Sequence, residues 1–181
     1  KTAYEIVSRD WSSDVCSSDL SPHTDSQPSP GGIRPSDRYP PRVSAASVVV
    51  QRRVEWSDTD ASGIHHNTFI VRLAEAAEHA LWRRVGLTDR ENFVPRVRME
   101  IDFLKPLRAG DLVEGEIAIA EMGRTSITFA FEARDRGEVV ARAKIVGALV
   151  SGQTWRPMEW PPAVKELLLS AGPQRPELLS D

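Results

Sequence analysis

From Ser47 to Glu55 (SVVVQRRVE) the chain is rich in β-branched residues, which predicts a strand. The period then changes. Ile70, Leu73, Ala74, Ala77, Leu81 and Val85 recur at helical spacing, predicting an amphipathic helix over Phe69 to Val85. Gly86 stops that helix, and Arg83 and Arg84 suit its negative dipole end. After a polar loop from Thr88 to Asn92, Val97, Met99, Ile101 and Phe103 alternate with Arg98, Glu100 and Asp102, a strand with one buried face. Pro106 ends it, and Arg108-Ala109-Gly110-Asp111 makes a turn. Leu112 to Glu121 alternates again. Gly123 turns the chain into Thr125 to Arg134, where Ile127, Phe129 and Phe131 share a face. Arg136-Gly137 reads as a hairpin turn into Glu138 to Val150, and a short helix near Ala163 to Ala171 follows a Pro-rich stretch.

One helix and about five strands, the last joined by hairpins, predict an α+β domain with an antiparallel sheet. A single helix cannot cover both faces of such a sheet. The sheet is therefore expected to curve around the helix and to leave some surface for a second subunit.

Composition changes the picture mainly at the N-terminus. Residues 1–20, KTAYEIVSRDWSSDVCSSDL, resemble a translated sequencing-library adapter and are set apart as non-native. Residues 21–43 carry Pro22, Pro28, Pro30, Pro35, Pro40 and Pro41 among Ser, Gly and Asp, a composition expected to be disordered. The domain is expected over 44–152, with 153–181 as a C-terminal extension. Cys16 lies in the adapter-like segment, so the domain offers no disulfide, thiol nucleophile or Cys-type zinc site. Of 23 basic and 26 acidic side chains, two and four lie in residues 1–20, leaving a net charge of −1. That balance argues against nucleic acid or an anionic membrane as partner. No apolar run is long enough to span a bilayer and no signal segment is visible, so a cytoplasmic protein is expected.

The chemistry is concentrated in WSDTDASGIHHNTF, Trp56 to Phe69, directly ahead of the long helix. Asp58, Asp60, His65 and His66 resemble a metal-ligand set in residue type. Adjacent histidines on extended backbone point opposite ways, however, and no second His pair supports them, so no metal is expected.

Asp58-Thr59-Asp60-Ala61-Ser62-Gly63 resembles the D-x-D-x-x-G loop of the 4-hydroxybenzoyl-CoA thioesterase-like family. Phe103-Leu104-Lys105-Pro106-Leu107-Arg108-Ala109-Gly110-Asp111 is similar to the family's second signature, and Glu75 matches an acid on its helix. The resemblance covers roughly Val48 to Ser151. It implies a hotdog fold, a curved antiparallel β-sheet wrapped around one long central helix. It also implies an acyl-CoA thioesterase acting as a homodimer or homotetramer, with no cofactor beyond coenzyme A as part of the substrate. A non-catalytic acyl-CoA or acyl-ligand binding protein on the same fold is the alternative.

Thioester hydrolysis needs donors where the oxyanion forms and a carboxylate that attacks or activates water. Asp60 matches the family's catalytic acid, and sequence leaves open whether it is nucleophile or base. Asn67 stands where some relatives carry a histidine. Its side chain takes no proton at neutral pH, but its backbone N–H at the helix start can serve the oxyanion. His66 and Glu75 are the candidate assistants, while Gly63, His65 and Thr68 are expected to touch substrate. Asp58 is read as structural, and Glu78 and His79 as facing solvent. Arg96, Arg98, Arg108, Arg124 and Arg142 are available for the coenzyme A phosphates.

Overall fold

A computed structural model describes residues 45–88, 92–173 and 177–178. All lie in the unit Pro35–Asp181; the unit Lys1–Arg34 falls outside the described residues, as do the expected adapter-like and Pro-rich segments. Strand β1 (Ser47–Arg53) leads through a 3-10 turn at Trp56–Asp58 into helix α1 (Asn67–Arg84). The short β2 (Asn92–Phe93) precedes β3 (Arg96–Phe103), β4 (Leu112–Met122), β5 (Ser126–Asp135) and β6 (Glu138–Ala148). The chain continues with β7 (Val150–Ser151), α2 (Pro162–Ser170) and β8 (Glu177–Leu178).

The main sheet has the order β3-β6-β5-β4-β1-β8. Its first five strands are antiparallel neighbours, whereas β8 adds to β1 in parallel. The long elements thus stand where hydrophobic periodicity places them. Three pieces escape that reading: β2 and β7, which pair with each other, and β8. Each has two residues, too few for a period to register. The β5–β6 connection is a two-residue turn with Arg136 and Gly137 both at positive φ (49° and 81°), as a tight hairpin of this twist demands.

Helix α1 buries Phe69, Ile70, Leu73, Ala74, Ala77, Ala80, Leu81 and Trp82. They pack in one core with Val48, Val50, Ile117, Ile119, Phe129, Phe131 and Ile145 of the sheet. The helix rides close to the strands because Gly115 of β4 has no side chain. A Cβ there would stand 2.9 Å from Leu73 Cγ and 3.1 Å from Phe131 Cε2. On the opposite sheet face Gln51 donates to Glu114 across β1–β4, and Arg142 bonds Glu132 across β5–β6.

The expected C-terminal extension packs into this same core. The Trp160 ring stacks on Trp82 (centroids 6.4 Å apart, 17° between planes), and its Nε1–H donates to the Ser126 carbonyl. Leu168 is fully buried, and its carbonyl accepts from Ala46 N–H. Among the described residues no helix is long and apolar enough to cross a membrane.

Close helix–sheet contact at Gly115 makes a definite demand. Gly115→Val forces Leu73 aside, and overpacking of this kind should lower stability by about 1–3 kcal/mol, read as a drop in the denaturant midpoint. A midpoint equal to that of the parent chain would show that α1 does not sit this close to β4.

Candidate active site

The loop between β1 and α1 folds back on itself. Asp60 N–H donates to the Ile64 carbonyl and Gly63 N–H to the Asp60 carbonyl, both at 3.0 Å, and Thr59 bridges His65 in antiparallel fashion. Gly63 stands at φ +75°, a conformation open to glycine at little steric cost. The Asp60 carboxylate accepts from Ser62 N–H at 2.8 Å and from the Ser62 hydroxyl, both through Oδ1. Oδ2 has no partner among the described residues. The Ser62 hydroxyl and N–H, aided by the two nearby histidines, hold the Asp60 pKa below the usual aspartate value. The carboxylate is therefore ionised at neutral pH and half engaged in an Asx turn, with one oxygen left for chemistry.

Asp58 has the opposite character. It is 1% exposed, and Oδ1 lies 2.7 Å from Arg72 and 3.5 Å from Arg52. Its Oδ2 accepts from Glu55 N–H, and its carbonyl accepts from His66 N–H at 2.7 Å. Arg52 also lies over the Phe69 ring, 5.4 Å from the centroid. Asp58 thus clamps β1, the loop and α1 together. The backbone role expected for it holds, and the two arginines are an addition that sequence spacing did not show.

The two histidines divide their work. His66 is the N-cap of α1, its Nδ1 meeting Thr68 N–H at 3.3 Å and the Thr68 hydroxyl at 2.9 Å. His65 is 8% exposed. Its N–H donates to the Leu107 carbonyl (2.9 Å), and its Nδ1 accepts from Leu107 N–H (3.0 Å). Burial lowers its pKa below the ordinary histidine value, against opposing pulls from the Leu107 backbone and, less strongly, from Asp60.

This pairing brings the second signature onto the first. Asp60, Ile64, His65, His66, Asn67, Phe103, Leu104, Lys105 and Pro106 line a cleft of about 480 Å³. Asn67 is the first residue of α1, and its backbone N–H meets no acceptor among the described residues. One open carboxylate oxygen, a helix N-terminus with an unpaired donor and an apolar wall from the 103–106 segment share the cleft.

Of the expected site residues, Asp60, His65, His66 and Asn67 meet here. Gly63 and Thr68 are not among the lining residues; they shape the turn and the helix cap. Glu75 stands about two turns further along α1, half exposed and paired with Arg96 at 3.0 Å, away from this chain's cleft. Glu78, expected in solvent, is 8% exposed: it accepts from Trp82 Nε1 at 2.9 Å and pairs with Arg96 at 2.6 Å. Sequence missed it because Arg96 approaches from another strand. Phe103, Leu104, Lys105 and Pro106 were legible as a signature but not as a cleft wall. Among the described residues no cluster of three or more His, Cys, Asp and Glu could hold a metal.

Two measurements check this geometry without a substrate. Asp58→Ala removes charge-assisted bonds worth about 2–3 kcal/mol; the partial exposure of both arginines keeps the loss below that of a fully buried pair. Thermal or denaturant unfolding gives the value, and an unchanged stability contradicts the clamp. A carbon-13 titration should place the Asp60 midpoint below the ordinary aspartate value, with Ser62→Ala moving it upward. A depressed folded pKa means that this group's stabilising contribution is present above the unfolded pKa and is lost as pH falls through the folded one.

The likeness to known proteins agrees with the geometry. A family model described as Thioesterase superfamily matches residues 62–142, a span that reaches from the Ser62-Gly63 turn into β6. A 1,4-dihydroxy-2-naphthoyl-CoA hydrolase from Prochlorococcus marinus is 24% identical over 138 residues, 69% of this chain and 91% of the relative. The hydrolase of the same name from Synechococcus elongatus is 26% identical over 111 residues, 58% of this chain and 82% of the relative. The crystal structure of a 1,4-dihydroxy-2-naphthoyl-CoA thioesterase from Synechocystis superposes with a TM-score of 0.62 at 17% identity, covering 67% of this chain and 95% of that one. The family model and these relatives support the thioesterase superfamily for this chain, and its fold is the hotdog thioesterase fold.

Proposed function

We propose that the protein is an acyl-CoA thioesterase, hydrolysing an acyl-CoA to the free acid and coenzyme A. The observation that carries this reading is the meeting of Asp60 and the Asn67 N–H in one cleft, on a hotdog thioesterase scaffold. With the thioester carbonyl oxygen on Asn67 N–H, the positive end of α1 favours the charge that develops there. The open oxygen of Asp60 then either attacks the carbonyl carbon or takes a proton from an attacking water. In both routes water supplies the hydroxyl of the acid, and the departing thiolate of coenzyme A takes up a proton. An aromatic acyl group suits the cleft, in line with the names of the relatives and with Phe103, Ile64 and Pro106 as apolar walls.

Coenzyme A must also be held by its phosphates. Arg96, Arg98, Arg124 and Arg142 are each paired with a carboxylate. Arg108 stands two residues beyond the cleft wall, and its guanidinium has no carboxylate partner among the described residues, which makes it our choice for phosphate contact. A homodimer is proposed on the family likeness, with Glu75 able to serve only if a second copy brings a cleft to it. We place the protein in the cytoplasm as a working reading.

The decisive comparison is Asp60→Asn against the parent chain on a panel of acyl-CoAs. Loss of the carboxylate should reduce kcat by about 10²–10⁴, with an unchanged unfolding midpoint. Full activity in that variant would remove Asp60 from the mechanism. A parent chain that binds acyl-CoA without turnover would leave the non-catalytic alternative.

A further inference from the structure

We propose that His65 is a fixed hydrogen-bond donor to the acyl group, selecting substrates whose acyl moiety carries an oxygen acceptor. The proposal deepens the thioesterase reading and rests on it for the identity of the ligand.

The buried bond from Leu107 N–H to Nδ1 requires a lone pair on that nitrogen. In the neutral ring the proton therefore sits on Nε2. The backbone N–H of the same residue donates to the Leu107 carbonyl, and Thr59 bridges it from the other side, so the ring has no freedom to slide. Phe69 packs nearly edge-on to it (centroids 6.3 Å, 72°), and Phe103 lies 6.1 Å away on the cleft side.

The position of Nε2 follows by elimination. Among the described residues no buried side-chain nitrogen or oxygen lacks a partner. Nε2 has no partner among them, so it must be reached by solvent, although the residue is only 8% exposed. His65 lines the cleft that it shares with Asp60 and Asn67, which offers its ring nitrogen an opening. An N–H whose direction is set by the protein thus opens into the substrate cleft.

Other roles fit less well. A general base would have to take a second proton onto Nδ1, which would break the bond from Leu107 and place a cation where burial already lowers the pKa. A metal ligand would need a bare Nε2 and further donors, and no such cluster occurs among the described residues. A donor that cannot also accept suits a hydroxyl or carbonyl oxygen on the acyl moiety. In a ring-hydroxylated aroyl group that oxygen is absent from the unsubstituted analogue, so discrimination between the two is the signature of this contact.

The test uses the full chain and the pair benzoyl-CoA and its ring-hydroxylated analogues. His65→Asn keeps an oxygen able to accept from Leu107 N–H, while its amide stops short of the Nε2 position; unfolding midpoints confirm that it folds. It should lose roughly tenfold in kcat/KM on a hydroxylated substrate, the worth of one hydrogen bond, and several-fold less than that on benzoyl-CoA. Equal losses on both substrates would overturn the proposal. Nitrogen-15 spectra of the parent chain supply a readout independent of turnover. They should show His65 protonated on Nε2 only, with that signal moved by hydroxybenzoates and unmoved by benzoate. A ring protonated on Nδ1, or an equal response to both acids, would overturn it as well. A chain that hydrolyses no acyl-CoA yet shows the selective shift would sink the thioesterase reading and leave the donor standing.

Discussion

The structure turns on the pair of hydrogen bonds between His65 and Leu107. One joins backbone to backbone and the other joins backbone to imidazole, both in buried surroundings. A buried amide left unpaired there would cost about 1–3 kcal/mol, so the two segments stay together. Those segments are more than forty residues apart in the chain, yet together they form both walls of the cleft. This stitch, together with the bonds from Leu104 and Lys105 N–H to the Val140 carbonyl, sets the 103–106 segment against the Asp60 loop.

Around the stitch, each polar residue of the loop answers a separate structural demand. Asp58 is buried and neutralised by Arg52 and Arg72, anchoring the loop to β1 and α1. His66 caps the helix, Gly63 allows the reversal, and Ser62 holds one oxygen of Asp60. These partners account for most of the hydrogen-bonding capacity of the loop. What they leave over is small and specific: one carboxylate oxygen and one helix-start N–H beside the same apolar wall, with the imidazole N–H proposed for His65. A loop that satisfies its own backbone so fully can hold a few groups ready for a ligand without unfolding around them.

Much of the fold was legible because its long elements have strong periods. Helix α1 and strands β3 to β6 lie within a residue or two of where apolar spacing puts them, since each buries one face on a shared core. The two-residue strands β2, β7 and β8 were not, because no period can be read from two positions. Asp60 and Asn67 were singled out as candidates through the motif and its place before a helix, and the fold sets both in one cleft. Glu75 shows the limit of that approach: its spacing on the helix is right, but helix rotation turns it to Arg96 and away from this chain's cleft.

The sequence by itself determined which segments become helix and strand, where the turns fall, and which loop carries the candidate side chains. Local spacing, turn residues and motif order are properties of neighbouring positions, so they can be read without coordinates. Tertiary structure alone decided which residues meet. It buried Asp58 and Glu78, where arginines from other elements reach them, while exposing Asp60, which none reaches among the described residues. It also turned His65 from one half of a conspicuous pair into a ring with a defined tautomer. That outcome depends on the backbone N–H of Leu107, a group every residue but proline carries and no sequence pattern can single out.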